Sequence, residues 1–279
     1  MNIAEWVLLS TIRIETNVPG GVSTGTGFFF SFLYDENTKT SVPTIVTNKH
    51  VIKNAITGKL RFSLQDSEGT PLKGEYVDLI IDNFEKRWIM HPDNEVDLCI
   101  LPIAYIHREI EKSKKNLYYT TLSMKDIPDT MEISNTLSRI EDVTIVGYPD
   151  GIWDSYNNMP IVRKGITATS LQLDFENKPR FLVDAAIYGG SSGSPVYIFN
   201  QGSYSLFNGG VAFGDRLRLV GIIYAVAQHT VDGDIKIIDV PTNKMPKAIT
   251  QIPNNLGVAI HSRKLKEFEK ILEERIGNH

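Results

Sequence analysis

A chain of 279 residues with 42% hydrophobic and 22% charged side chains can bury a real core, as one large domain or two smaller ones, and is neither disordered nor fibrous. A formal net charge of -4 without a dense Lys/Arg cluster argues against nucleic acid or an anionic membrane surface as the main partner, and favours a neutral polymer or protein substrate. The single cysteine, Cys99, excludes an intramolecular disulfide and agrees with a reducing compartment.

The first residues, "MNIAEWVLLSTIRIET", have too short an apolar run and no preceding basic region for a secretory signal, and no later run is long enough to span a bilayer. The expected location is the cytoplasm. "VLLSTIRIE" (7–15) reads as a strand, "NVPGGVSTGTG" (17–27) as a loop and "FFFSFLY" (28–34) as an aromatic strand that forms a hairpin with "VPTIVTN" (42–48). Apolar runs follow at 59–64, 76–82 and 97–103. Cys99 lies in the last of these, "DLCILPI", as a small core residue. The charged stretch Tyr105 to Met124 has some helical spacing and reads as a connector between two halves. Strands resume at 143–149, 165–173, 180–187, 195–199, 217–227 and 235–240. Near the end Leu265, Phe268, Ile271, Leu272 and Ile276 share one helical face, with Ser262 as N-cap. Many short strands in two groups with one closing helix predict an all-β chain of paired antiparallel barrels or sandwiches.

Within the later strands, "YGGSSGSPVY" (188–197) interrupts an apolar run with glycines and serines. A Gly-x-Ser-Gly turn bends the chain so that a serine hydroxyl faces solvent, and it leaves neighbouring N–H groups without a ladder partner. Ser192 sits at that bend, with the N–H groups of Gly190 and Ser192 converging on one point. Covalent catalysis by such a serine also needs a base and a carboxylate to orient it. Of the six histidines, His91, His107, His229, His261 and His279 have bland settings. His50 ends an apolar strand at a turn, where a side chain can face a cleft. Asp97 heads a strand apolar enough to bury it, which is costly unless a group such as an imidazole N–H bonds to the carboxylate. Asp93, in the turn "HPDN", is the rival acid.

"VTNKHVI", "DLCILPI" and "DAAIYGGSSGSPV", in that order, resemble the histidine, aspartate and serine blocks of chymotrypsin-fold (trypsin-like) serine peptidases. The pattern looks most like the HtrA type, with its "VTN-x-HV" and "DAAI-x-x-G-x-SGGP", and without a PDZ module after the peptidase part. "TGTGFFF", "VGYPDG", "LVGIIYA" and "LGVAIHSRKLKEFEKIL" extend the likeness over roughly 20–275. The resemblance implies two antiparallel six-stranded β-barrels (chymotrypsin-like) with a C-terminal α-helix. The expected divisions are 1–115, with His50 and Asp97; a connector over 116–130; 131–260, with Ser192; and a helix over 261–279. It implies a serine endopeptidase in which Ser192 is the nucleophile, His50 the base and acid, and Asp97 the orienting carboxylate, with Gly190 and Ser192 forming the oxyanion hole. One departure is Gly193-Ser194-Pro195 where the family usually has Gly-Gly-Pro.

Further implications of the resemblance concern substrate. Ala186 lies at the base of the primary pocket, and Tyr224-Ala225-Val226 pair with the substrate backbone as an added strand. A pocket walled by Ala186, Ile187 and Val226 favours small or medium apolar side chains, while Asp184 is structural. The alternative function is a latent or inactive module of the same fold that binds extended peptides until an activating protein partner or signal reorganises the loop 150–164, whose exposed-looking Trp153 and Tyr156 contact either substrate or a partner, or pack on the protein's own surface. The partner expected in both cases is a protein or peptide, with no nucleic acid or membrane. "TGTG" lacks the lysine and helix of a phosphate-binding loop, no His/Cys/Asp/Glu spacing suits a metal, and no cofactor is expected.

Overall fold

In chain order the computed structural model contains α1 (Ile3–Leu8), β1 (Thr11–Val18), β2 (Gly21–Phe32), β3 (Val42–Thr47), α2 (Lys49–Ile52), β4 (Thr57–Gln65), β5 (Pro71–Asp82), β6 (Ile89–Met90), β7 (Cys99–Pro102), α3 (Ala104–Lys112), β8 (Asn116–Tyr118) and β9 (Leu122–Ser123). There follow α4 (Thr130–Asn135), β10 (Asp142–Gly147), β11 (Ile161–Thr167), β12 (Arg180–Ala185), β13 (Pro195–Asn200), β14 (Ser203–Ser205), β15 (Val211–Phe213), β16 (Arg216–Asp234), β17 (Lys247–His261) and α5 (Glu267–Gly277). The structure describes residues 2–234 and 247–277. The expected strand at 235–240, His279 and the side chain of His229 lie outside the described part.

The mostly antiparallel β architecture is present as the sequence implies. The second half is a closed six-strand barrel in the order β10-β11-β12-β17-β16-β13. The first half is a nine-stranded sheet rather than a closed barrel of six, running β5-β4-β1-β2-β3-β7-β6, with β8 on β4 and β9 on β2. Two of the additional strands, β8 and β9, come from the stretch expected as a connector. After α3, Leu117 and Leu122 turn inward and are buried, which binds that stretch to the first sheet.

Two local expectations change. Residues 7–8 are helical, because the side chain of Asn2 accepts from Ala4 N–H and the Glu5 carboxylate reaches back to Asn2 N–H, forming a capping box that starts α1. The loop expected at 17–27 is instead most of a hairpin. β1 and β2 pair from Thr11↔Phe28 to Val18↔Gly21, leaving Pro19-Gly20 as the turn. Glycines mask a strand in the sequence because they lower its apparent propensity, yet Gly25 and Gly27 are needed here: a Cβ would fall 2.5 Å from Val51 Cγ1 and 2.7 Å from Ile45 Cγ2.

Alternation along β2 distributes its phenylalanines between two cores. Phe29 faces the first-half core with Ile12, Ile45 and Phe62. Phe28, Phe30 and Phe32 face a second cluster shared with Val146, Tyr197 and Leu219 of the barrel. Phe268 and Leu272 of α5 join that shared cluster, so the terminal helix seals the junction of the halves. Burying a phenylalanine or leucine side chain in this way stabilises the fold by roughly 1.5–3 kcal/mol. Ile276, by contrast, is exposed, and Ser262 donates its hydroxyl to Leu219 C=O (2.7 Å) instead of capping the helix. Among the described residues no helix is long and apolar enough to cross a membrane.

His261, at the end of β17, carries a consequence for stability. Its ring packs on Phe181 with centroids 5.0 Å apart. Burial, helped by the nearby Arg263, outweighs the attraction of Asp174 and pushes the imidazole from 6.5 down to about 4. Between those values the unfolded chain holds a proton that the folded chain does not, so stability is full above pH 6.5 and is lost as pH falls toward 4. The expected loss is about 3 kcal/mol. Thermal midpoints measured from pH 7 to pH 4 should fall, and His261→Gln should flatten that fall.

Candidate active site

His50 sits in the single turn of α2, where the chain leaves the buried end of β3. Asn48, fully buried at the corner, donates its side-chain amide to Asp97 C=O (2.7 Å), which ties the β3 end to the segment entering β7. The two oxygens of Asp97 both serve His50: Oδ1 accepts the backbone N–H (3.1 Å) and Oδ2 lies 2.5 Å from ring Nδ1. A carboxylate can only accept, so Nδ1 carries the proton and Nε2 presents a lone pair. Asp97 is three-quarters buried, whereas nearly half of the His50 side chain is exposed. The rival Asp93 is occupied elsewhere: its Oδ1 accepts Glu95 N–H within its own turn (2.9 Å) and its carbonyl accepts from Lys49 Nζ (3.0 Å).

The remaining described histidines serve packing. His91 accepts Asp93 N–H at Nδ1 and faces Lys264 C=O (3.1 Å) at Nε2, and burial lowers its pKa. His107 pairs with Tyr119 OH at 2.5 Å. Cys99 is fully buried, and desolvation pushes its thiol well above the usual range. Among the described residues no group of His, Cys, Asp and Glu could hold a metal ion.

Ser192 lies in the turn between β12 and β13. Gly190 and Gly193 take φ of +79° and +87°, a left-handed geometry costly for other residues. Space excludes them too. A Cβ on Gly193 would fall 1.9 Å from Thr26 C=O, and one on Gly190 2.5 Å from Tyr148 C=O. Each peptide of the turn is held by its carbonyl. Gly189 C=O accepts Asp150 N–H (2.5 Å), Ser191 C=O accepts Ser194 N–H (3.0 Å) and Ser192 C=O accepts Thr26 N–H (2.9 Å). Because a trans peptide sets N–H opposite C=O, these bonds fix where the amides of Gly190 and Ser192 point. Among the described residues neither amide has an acceptor.

The bond from Thr26 also brings the Ser192 turn onto the first half, beside the strand that leads to His50. No hydrogen bond joins His50 to Ser192 among the described residues. The family departure at Ser194 is accommodated by Gly147, whose Cβ would fall 2.1 Å from Ser194 Oγ.

Ile187 is buried, and its Cδ1 occupies the room that a Cβ on Gly257 would need, 2.0 Å away. Ala186 and Ala225 are half-buried. Tyr224 is the extra residue of a bulge between Ile223↔Ala259 and Ala225↔Val258, and its hydroxyl accepts from Arg180 (3.0 Å). Val226 pairs with Gly257. Pairing of β16 with β13 stops at Pro195↔Ile222, so among the described residues Ala225 and Val226 are laddered on the β17 side only. Asp184 is exposed within the β12 ladder.

Trp153 is half-buried rather than exposed, with Arg13 and Arg61 5.5 Å and 5.1 Å from its ring and Tyr148 edge-on at 6.1 Å. Tyr156 is 72% exposed. Sequence reading missed Thr26 and Asn48, which carry polar side chains fully buried beside the site. The signal for Thr26 was the Gly-Thr-Gly alternation next to an aromatic run, where small neighbours mark a close backbone approach.

Residues 25–203, well over half of the chain, match the model of the trypsin-like peptidase domain. No curated protein matches in sequence. Among solved structures, the HtrA-type protease AlgW with tripeptide is 16% identical with a TM-score of 0.51, covering 97% of this chain and 62% of that one. A serine-to-alanine variant of AlgW, also with tripeptide, is 15% identical at 0.50, covering 95% and 60%. The serine endoprotease from Yersinia pestis is 17% identical at 0.47, covering 97% and 64%. At these identities the likeness to AlgW is one of fold, and the chain spans less than two-thirds of each protease's length.

Proposed function

This chain belongs to the family of trypsin-like peptidase domains, and from that premise we propose that it is a serine endopeptidase working through an acyl-enzyme. Ser192 Oγ attacks the scissile carbonyl carbon while His50 Nε2 takes its proton. The carbonyl oxygen becomes an oxyanion that accepts from the N–H groups of Gly190 and Ser192. Collapse breaks the C–N bond, His50 returns the proton to the leaving amine, and an ester remains on Ser192. Water, deprotonated by His50, then hydrolyses the ester. Asp97 keeps Nδ1 protonated throughout and balances the charge of the imidazolium.

The observation that carries this reading is the double grip of Asp97 on His50, which fixes both the ring and the tautomer a general base needs. The acceptor-free amides of Gly190 and Ser192 support a site competent at rest over the latent module that awaits a partner. Substrate is a protein or peptide in extended form, added to the open side of residues 224–226. The primary pocket offers Ala186 and Ile187 and no charge, and Ile187 fills the room opposite Gly257, so the pocket is shallow.

A library of fluorogenic peptides varied at the residue before the cleaved bond tests both parts. Cleavage after Ala or Val should exceed cleavage after Lys or Arg by about tenfold or more. A preference for Lys or Arg contradicts the pocket, and no cleavage of any member contradicts the endopeptidase.

A further inference from the structure

Thr26, in the middle of β2, belongs to the half of the molecule that does not carry Ser192, and it is fully buried. Every polar atom it has is engaged across that junction or next to it. Its N–H donates to Ser192 C=O (2.9 Å) and its hydroxyl donates to Gly190 C=O (2.9 Å). The same hydroxyl accepts Tyr148 N–H (3.0 Å), and its carbonyl accepts from Thr47 Oγ1 (2.6 Å). Tyr148 lies at the base of the loop whose Asp150 N–H holds Gly189 C=O.

These bonds have a specific geometric effect. The carbonyls of Gly190 and Ser192 follow the Cα atoms of the two residues whose amides lack acceptors. Pinning both carbonyls therefore sets ψ at both positions, while Asp150 and Ser194 set the peptides before them. Gly190 resists turning over least of all, since glycine has no Cβ to bias it. Its carbonyl is the one the side-chain hydroxyl holds.

We propose that Thr26 is a positioning residue for the oxyanion hole: its hydroxyl bridges Tyr148 N–H and Gly190 C=O and so keeps the Gly190 and Ser192 amides converged. This rests on the reading of Ser192 as nucleophile. Removing the hydroxyl leaves the buried Tyr148 N–H without its acceptor and Gly190 C=O without its donor, so the Gly190–Ser191 peptide is then held only by Ser191 N–H on Tyr188 C=O (3.1 Å) and turns more freely. The hydroxyl touches no reacting atom, so its loss slows the chemistry through the loop and leaves the His50–Asp97 pair intact.

Thr26→Ser and Thr26→Ala form the test, because both lose the methyl group and only alanine loses the hydroxyl. The readout is the second-order rate of labelling by a fluorophosphonate probe, whose phosphoryl oxygen occupies the place of the oxyanion, with near-UV circular dichroism and thermal midpoint recorded for each variant. Thr26→Ser should label within about threefold of the parent, and Thr26→Ala on the order of 10- to 100-fold more slowly while still folded. Equal rates for the two variants overturn the role of Thr26 and leave Ser192 untouched. Should alanine prevent folding, Thr26→Val fills the volume without the hydroxyl and must show the same slowing, and a parent-like rate in it overturns the role. Absence of labelling in the parent protein overturns the nucleophile reading and this proposal with it.

Discussion

Ser192→Ala lowers kcat/KM for peptide cleavage on the order of 10⁴-fold or more, because the variant loses the atom that forms the acyl-enzyme. What little rate remains comes from the oxyanion amides and from substrate binding, which the substitution leaves in place. The folded state should hardly change. Ser192 Oγ makes no hydrogen bond among the described residues, and the turn is fixed by backbone carbonyls and by the glycines at 190 and 193. Kinetics on a cleaved library peptide, paired with a thermal melt, check the prediction. An unchanged melt with lost activity is the expected pair, and activity retained to within tenfold removes Ser192 from the mechanism.

Asp97→Asn should cost nearly as much, about 10³- to 10⁴-fold in kcat/KM. The replacement is isosteric, and its remaining oxygen can still accept His50 N–H. Its amide, however, donates toward Nδ1 where the carboxylate accepted, so the ring adopts the opposite tautomer and Nε2 holds a proton when it needs to take one. The imidazolium formed during attack also loses its counter-charge. Asp93→Asn provides the control. Its side chain caps its own turn and faces Lys264, while Lys49 holds only its backbone C=O, so its substitution should leave the rate within about threefold. Equal effects at positions 93 and 97 would contradict the assignment.

Much of this was legible in the chain because strands and sharp turns write themselves locally. The alternation of buried and half-buried residues over β4, and the glycines around Ser192, are one-dimensional signals that the fold preserves. The placement of His50 at a strand end and of Asp97 before an apolar run read through for the same reason, since burial of a carboxylate demands a donor. What stayed hidden depends on partners distant in sequence. Thr26 looked like part of a glycine-rich loop because its partners lie at 148, 190 and 192. β8 and β9 looked like a charged connector because each is too short for a periodic pattern, and pairing with β4 and β2 supplies what propensity does not. Trp153 looked exposed because nothing near it in sequence announces the two arginines, from β1 and β4, that close on its ring.

The most direct measurement is the intact mass of the protein after incubation with a fluorophosphonate, beside the Ser192→Ala variant, followed by peptide mapping of any adduct. One adduct per chain, carried on Ser192 and absent from the variant, is the predicted result. No adduct on the parent, or an equal adduct on both proteins, would contradict a competent serine nucleophile at this site.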